Sequence, residues 1–154
     1  MHVSLWKLFH ILLLTLSLAG YAAWLRSERA SATVAPQSVA ATMIPLLRTA
    51  DAHALWKQDT TLFVDVRSAG EFADGHIAGA ISLPDEEFEE RFPALKLRFE
   101  RARAIVVYCK SEDCGKSLWT AIRLRHEGLT QTRIYPAGWY DWRRHDLPAN
   151  SSAP

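Results

Sequence analysis

The sequence predicts an α/β domain with a parallel sheet covered by helices on both faces, preceded by an N-terminal hydrophobic helix. Short apolar runs, typical of buried strands, alternate with helical segments along residues 46–148. Gly and Pro residues separate these segments. The apolar run Leu8–Leu25, in which His10 is the only side chain able to carry a charge near neutral pH, predicts the additional helix.

The N-terminal segment, residues 1–26, fits two interpretations. A cleaved signal peptide would use Ile11–Ala19 as its apolar core, with cleavage after Ala22 or Ala32. A retained signal anchor would use all of residues 8–25 to contact the membrane, and bulky aromatic residues near its end favour this interpretation. Both interpretations predict a membrane-anchored or secreted protein with its domain on the extracytoplasmic (periplasmic) side.

Residues 27–45 form the predicted linker, because they are rich in Ala, Ser, Thr and Val and show neither helical nor strand periodicity. The domain follows over residues 46–148, and residues 149–154 are the expected disordered tail. Its first half contains a short helix, a buried strand, one helical turn and a second strand. These are predicted over Ala50–Lys57 with Thr49 as N-cap, Leu62–Val66, Ser68–Gly75 with a capping box formed by Ser68 and Glu71, and Ala80–Leu83 before Pro84.

The second half of the domain repeats the alternation of helix and strand. An acidic helix over Asp85–Arg91 is predicted to end at Pro93, because proline inside a helix removes a hydrogen bond. Ala104–Tyr108 is the most apolar run and predicts a central strand that leads directly to Cys109. The remaining elements are a helix over Ser117–Glu127 with Leu118, Ala121 and Ile122 on one face and Gly128 as its stop, a strand over Thr132–Tyr135 and a helix over Trp139–His145.

Composition excludes several classes of protein. The chain has 154 residues, 49% of them hydrophobic, and 18 Lys+Arg against 17 Asp+Glu leave a net charge of +1. A near-neutral chain without a basic stripe gives no electrostatic reason to expect nucleic acid as a partner. Six Trp, four Tyr and six Phe argue against disorder. Two cysteines are too few for a four-thiolate zinc site, so we expect no metal, and they leave one disulfide or one reactive thiol.

The loop after the predicted strand Ala104–Tyr108 is the candidate site. In parallel sheets, ligands bind beyond the carboxyl ends of the strands, where the next helix begins. Amide groups at that helix start favour ionisation of the Cys109 thiol, the reactive form of a cysteine. Cys109 must be reachable from solvent for such chemistry. The predicted site comprises Cys109 and the loop residues Lys110, Ser111, Glu112, Asp113, Cys114, Gly115, Lys116 and Ser117.

Three motifs follow one another along the domain. They are Asp65–Ser68 with Glu71-Phe72 and Gly75–Ala80, then Ile105–Cys109, then Ala137–Trp139 with Trp142 and Leu147-Pro148. Together they resemble the rhodanese-like sulfurtransferase domain. The resemblance implies that Cys109 accepts sulfane sulfur as a persulfide and hands it to a nucleophile, with no cofactor. It also implies a small sulfur donor such as thiosulfate or a persulfide, and a thiol or cyanide-like acceptor.

The loop departs from the family's commonest pattern. Six residues rather than four separate Cys109 from the basic residue, which is Lys116 rather than the more frequent Arg. Glu112 and Asp113 oppose the attraction of anions. Cys114 is either a resolving thiol for Cys109 or a small residue tolerated in the loop. Two alternatives to the sulfurtransferase therefore stay open: an extracytoplasmic thiol-redox or sulfur-carrier module using Cys109 and Cys114, and a non-catalytic binding domain with the same fold.

Other polar and aromatic residues of the domain have structural interpretations. Asp65, Arg67 and Glu71 are expected to form an ion-pair and turn device. His76 is expected to be a hydrogen-bonded scaffold residue rather than a base. The indole rings of Trp139 and Trp142 are expected in the core or in a pocket wall.

Overall fold

A parallel sheet and the helices that cover it make up residues 43–151, which are the residues that the computed structural model describes. The strands are β1 (Thr61–Asp65), β2 (His76–Ile77), β3 (Ile81–Ser82), β4 (Ala104–Tyr108), β5 (Thr132–Tyr135) and β6 (Ala149–Asn150). The helices are α1 (Thr49–Trp56), α2 (Ala69–Asp74), α3 (Phe88–Arg101), α4 (Lys116–His126) and α5 (Gly138–Arg144), with a 3-10 turn at Asp85–Glu87 before α3. The predicted α/β class is confirmed.

Strand β4 is central in the main sheet, whose strands are all parallel and lie in the order β3-β1-β4-β5. Its five residues are buried, as expected for a strand covered on both faces. Tyr108, the last residue of β4, is in register with Asp65 at the end of β1 and with Tyr135 at the end of β5. The carboxyl ends of these three strands therefore meet at one edge of the sheet.

Alternate residues of the strands enter two separate cores. On one face, Ile105 and Val107 pack with the buried side chains of α3 and α4. On the other face, Val106 and Tyr108 pack with Trp139 and Trp142 of α5 and with a buried alanine of α1. Helices therefore cover both faces of the sheet, and the expected burial of both indole side chains is confirmed.

Helix α3 differs from its prediction. It runs through Pro93 to Arg101, whereas the sequence predicts an acidic helix over Asp85–Arg91 that ends at that proline. The loss of one backbone hydrogen bond at an interior proline costs about 3 kcal/mol. Phe88, Phe92 and Phe99 recur on one face and are all buried, and each contributes about 1.5–3 kcal/mol by burial. Packing of that face therefore outweighs the cost of the proline, whose ring is exposed.

Two helix details also differ from the prediction. Leu118, expected on the buried face of α4, is 48% exposed, and the buried side chains of that helix are Ser117, Thr120, Ala121 and Leu124. Thr49 is the first residue of α1 and not its N-cap, which is Arg48 and makes no side-chain cap. The capping box of Ser68 and Glu71 at the start of α2 is present as predicted.

The two ends of the described segment pair with the domain. Pro45 and Leu47 exchange backbone hydrogen bonds with Ile134 of β5, so the domain begins before residue 46 and the linker ends earlier than predicted. Ala149–Asn150, assigned to a disordered tail, form β6 and pair antiparallel with β2. The predicted N-terminal segment, residues 1–26, lies outside the described residues. Among residues 43–151, no helix has the length and apolar character needed to cross a bilayer.

Asp141 connects three elements of the fold. Its carboxylate accepts hydrogen bonds from Thr49 of α1 at 2.5 Å, Tyr135 of β5 at 3.0 Å and Arg144 of α5 at 2.6 Å. Burial raises the pKa of Asp141, but the hydrogen bonds from these three side chains outweigh burial and hold that pKa below its ordinary value. The charged carboxylate is therefore a stabilising part of the fold.

We expect Asp141→Asn to lower the free energy of unfolding at neutral pH by about 1–3 kcal/mol, because it removes charge-assisted hydrogen bonds. The folded pKa lies below the unfolded one, so the stabilisation is present above the unfolded pKa of about 4 and is lost as pH falls through the folded pKa. Urea unfolding of both proteins between neutral and acid pH measures this. The wild type should lose more stability on acidification, and parallel pH profiles would contradict the assignment.

Candidate active site

Cys109 follows β4 directly and occupies the point where the buried sheet meets a surface loop. Its side chain is 2% exposed and packs in the same core as Val66 and Val107. The amide of Val66 donates to the carbonyl of Tyr108 at 3.1 Å, which continues the pairing of the chains beyond β1 and β4. The sequence-predicted cysteine is therefore held at the carboxyl edge of the sheet, where α/β folds bind their ligands.

The start of α5 fixes the first two residues of the loop. The amide of Trp139 donates to the carbonyl of Cys109 at 2.9 Å, and the amide of Tyr140 donates to the carbonyl of Lys110 at 3.0 Å. Gly138, with φ of 65°, lets the two backbones approach, because a β-carbon there would collide with the Cys109 carbonyl. This contact was not predicted, although Gly138 lies within the C-terminal motif.

Cys109 and Cys114 form a disulfide across the loop, with their Cα atoms 6.1 Å apart. A turn returns the chain, because the amide of Cys114 donates to the carbonyl of Ser111 at 3.1 Å. The hydroxyl of Ser117 lies 3.4 Å from the carbonyl of Cys114 and holds it at the start of α4. The sequence left this pairing open. Cys109 is thus neither a free thiol nor reachable from solvent in this oxidised state, contrary to the prediction from the sequence.

The predicted loop residues differ in how far they are exposed to solvent. Lys110, Glu112, Asp113 and Gly115 are exposed, Ser111, Cys114 and Lys116 are partly buried, and Ser117 is buried. Lys116 is the basic residue of the loop, and its Nζ lies 3.0 Å from Oε2 of Glu86 in the 3-10 turn. That ion pair offsets the positive charge of Lys116.

The first turn of α4 supplies hydrogen-bond donors to this end of the sheet. By helix geometry, the amides of Lys116, Ser117 and Leu118 have no acceptor within the helix. The partial positive charge of these groups favours an anion at the helix start. Cys114, which is bonded to Cys109, contacts this helix start through Ser117, so the loop lies beside donors that favour an anion.

A groove of about 560 Å³ separates the tip of the loop from α5. One wall is acidic and the other contains an aromatic side chain and a guanidinium. The lining residues are Ser111, Glu112 and Asp113 on the loop and Ala137, Tyr140, Asp141 and Arg144 on the other wall. The groove is an open approach to the loop.

A buried ion pair between Arg67 and Asp65 lies next to the candidate site. Arg67 Nη2 lies 2.6 Å from Asp65 Oδ2, and the same nitrogen donates to the carbonyl of Gly75 at 2.7 Å. The guanidinium also lies 5.0 Å from the ring centre of Trp139, whose amide holds Cys109. His76 Nδ1 is 2.8 Å from the carbonyl of Phe72. These contacts agree with the structural roles expected for Asp65, Arg67 and His76.

A second group of contacts, which was not predicted from the sequence, joins the 3-10 turn to α4. Asp85 accepts hydrogen bonds from Thr120, at 2.9 Å, and from Arg123. Arg123 also lies over the ring of Phe88, 4.5 Å from its centre. These contacts fix the orientation of α4 and therefore the position of its first turn at the site. Residues 35 and 38 positions apart carry no local pattern that would signal this contact.

The chain is similar to one domain family and to parts of two larger proteins. A model of the rhodanese-like domain family matches residues 49–145. An HTH-type transcriptional regulator of Mycobacterium tuberculosis is 33% identical over 91 residues, which are 59% of this chain and 38% of the regulator. A tRNA uridine(34) hydroxylase of Sodalis glossinidius is 30% identical over 102 residues, which are 64% of this chain and 28% of the hydroxylase. The chain thus spans well under half the length of these relatives.

Solved structures show the same fold. The BH2092 protein of Bacillus halodurans matches with a TM-score of 0.59 and 16% identity, over 88% of this chain and 87% of that one. EanB in complex with hercynine matches with a TM-score of 0.61 and 24% identity, over 72% of this chain and 28% of EanB. The family match covers more than half of the chain and includes β4, Cys109 and the loop. The chain therefore belongs to the rhodanese-like domain family.

Proposed function

We propose that this protein is a sulfurtransferase that moves sulfane sulfur through a persulfide on Cys109. The observation that carries the proposal is the position of Cys109, between the buried strand β4 and the first turn of α4. A thiolate or persulfide anion there is stabilised by preorganised amide dipoles, as other anions are at helix starts. A solved structure of EanB described as carrying a cysteine persulfide, 24% identical to this chain, supports the proposal.

The proposed reaction has two displacements. The Cys109 thiolate attacks the sulfane sulfur of a donor such as thiosulfate, the sulfur–sulfur bond of the donor breaks, and sulfite leaves with the electron pair. A thiol or cyanide-like acceptor then attacks the outer sulfur of the persulfide and releases the Cys109 thiolate. Splitting the transfer into two thiolate displacements needs no metal or organic cofactor.

Reduction of the disulfide is the first requirement of this reaction. In the oxidised state the sulfur of Cys109 is bonded to Cys114 and is not a nucleophile. Breaking the bond frees the Cys109 thiolate to react with a sulfur donor. The reduced protein is therefore the proposed active form.

The test is sulfite release by protein that has been reduced and freed of reductant under anaerobic conditions. With excess thiosulfate, the reduced wild type should release about one sulfite per protein, since each Cys109 accepts one sulfur. Oxidised wild type is the matched control and should release none. Absence of sulfite from the reduced protein would overturn the proposal for thiosulfate as donor, and equal release from both forms would show that Cys109 is not the acceptor.

A second candidate function is favoured by the disulfide itself. The protein would then be a thiol-redox module whose Cys109–Cys114 bond exchanges with the thiols of a protein partner. Oxidation of a reduced dithiol protein by the disulfide form, together with no sulfite release by the reduced form, would favour this function over sulfur transfer.

We also propose that the domain works on the extracytoplasmic side of a membrane. The apolar run Leu8–Leu25 supports this location as an anchor or signal. The disulfide supports it independently, because such bonds persist mainly in oxidising compartments. The partners proposed there are a small sulfur donor and a thiol acceptor.

A further inference from the structure

We propose that Cys114 is a resolving residue, which attacks the Cys109 persulfide and releases its sulfane sulfur as sulfide. The proposal rests on the proposed persulfide at Cys109 and adds a fate for its sulfur. It makes the protein a dithiol-dependent sulfane-sulfur reductase. The observation that carries it is the bond between the two cysteine sulfurs, since that bond is the product of the resolving step.

The folded loop brings the second sulfur to the first without rearrangement of the sheet. The Cα separation of 6.1 Å lies within the range of ordinary disulfides. The turn between Ser111 and Cys114 and the contact of Ser117 with the Cys114 carbonyl hold the loop in this arrangement. The attacking thiol is therefore part of the same loop as its target, and its effective concentration far exceeds that of a free acceptor.

The resolving step balances without an added oxidant. The Cys114 thiolate attacks Sγ of Cys109, which is the inner sulfur of the persulfide. The bond from that Sγ to the sulfane sulfur breaks, and the sulfane sulfur leaves with the electron pair and takes one proton from solvent, so that it is released as hydrosulfide. Two cysteine sulfurs are oxidised by two electrons in total, and one sulfane sulfur is reduced to sulfide.

Burial decides how the disulfide is reopened. Cys109 is 2% exposed, whereas Cys114 is only partly buried. A thiolate of an external dithiol therefore attacks Sγ of Cys114, and Cys109 leaves as a thiolate beside the helix start that stabilises it. The second thiol of the reductant then displaces Cys114, so that one dithiol becomes one disulfide. The reductant is a protein or small-molecule dithiol that reaches the exposed acidic loop.

The experiment follows one turnover of the reduced protein with thiosulfate, in the absence of reductant and oxygen. Wild type should release about one sulfide per protein and finish as the Cys109–Cys114 disulfide, two hydrogens lighter than the reduced form. Cys114→Ser should release at least about tenfold less sulfide and accumulate a form heavier by one sulfur atom, because its persulfide lacks the intramolecular attack. Cys109→Ser is the matched control and should neither gain sulfur nor release sulfide.

Each other result has a defined meaning. Reduced wild type kept without thiosulfate must stay a dithiol, and disulfide formation there would overturn the assignment of the bond to turnover. A stable persulfide on wild type, or a persulfide on Cys114 itself, would overturn the resolving role and leave sulfur transfer standing. If neither wild type nor Cys114→Ser takes up sulfur, the proposed function fails and this inference fails with it.

Discussion

A Cys109→Ser variant is expected to lose thiosulfate:cyanide sulfur transfer by on the order of 1,000-fold or more. The reaction proceeds through a covalent sulfur on Cys109, and a serine hydroxyl is a far weaker nucleophile towards sulfur than a cysteine thiolate. The measurement is the initial rate of thiocyanate formation by enzyme reduced beforehand. The initial rate is used because attack by Cys114 is expected to remove persulfide as turnover continues.

The control for this variant is Leu97→Ser, which introduces a serine at a side chain of α3 that is 65% exposed. It should keep the wild-type rate. Circular dichroism of both variants checks that the fold is retained, since Cys109→Ser also removes the disulfide. Full activity of folded Cys109→Ser would show that another group carries the sulfur.

Asp65→Ala is expected to lower the free energy of unfolding by about 3–5 kcal/mol. Arg67 is 4% exposed, and removal of the carboxylate leaves its guanidinium buried with the Gly75 carbonyl as its remaining hydrogen-bond acceptor among the described residues. An uncompensated buried charge costs more than the ion pair contributes, because the desolvation penalty is no longer offset. Urea unfolding of the oxidised proteins measures the difference.

The double variant Asp65→Ala/Arg67→Met separates this charge effect from loss of packing. Replacing both partners removes the buried charge, so the double variant should be more stable than Asp65→Ala alone. If the two variants unfold at the same denaturant concentration, the guanidinium is not an uncompensated charge. Because Arg67 contacts the Trp139 ring and the Trp139 amide holds Cys109, the single variant should also weaken sulfur uptake.

Local sequence patterns predicted most of the secondary structure because they depend on neighbouring residues. The apolar run at β4, the strand Thr132–Tyr135 and the capping box of Ser68 agree with the structure. Pro93 shows the limit of such rules. Its local cost was correctly recognised, but three buried phenylalanines of the same helix supply a larger opposing term that appears only when the helix packs on the sheet.

The candidate site was predicted only in part, because local patterns place Cys109 and the loop but not the contacts made by distant residues. The position of Cys109 follows from the apolar strand before it, and the loop follows from the helix after it. Lys116 illustrates what sequence spacing misses, since its charge is paired with Glu86, a residue 30 positions away. The hydrogen bond from the Trp139 amide to the Cys109 carbonyl likewise depends on a helix near the C-terminal end of the domain.

By itself, then, the sequence determined the order of the four main-sheet strands and of the helices, the motifs of the family and the place of the candidate nucleophile. These follow from side-chain periodicity and from residue types at fixed short spacings. Only the tertiary structure decided that Cys114 bonds to Cys109, that β6 pairs with β2 and that Asp85 accepts hydrogen bonds from α4. Such contacts depend on loop closure and on burial between elements distant in the chain, and no local pattern encodes them.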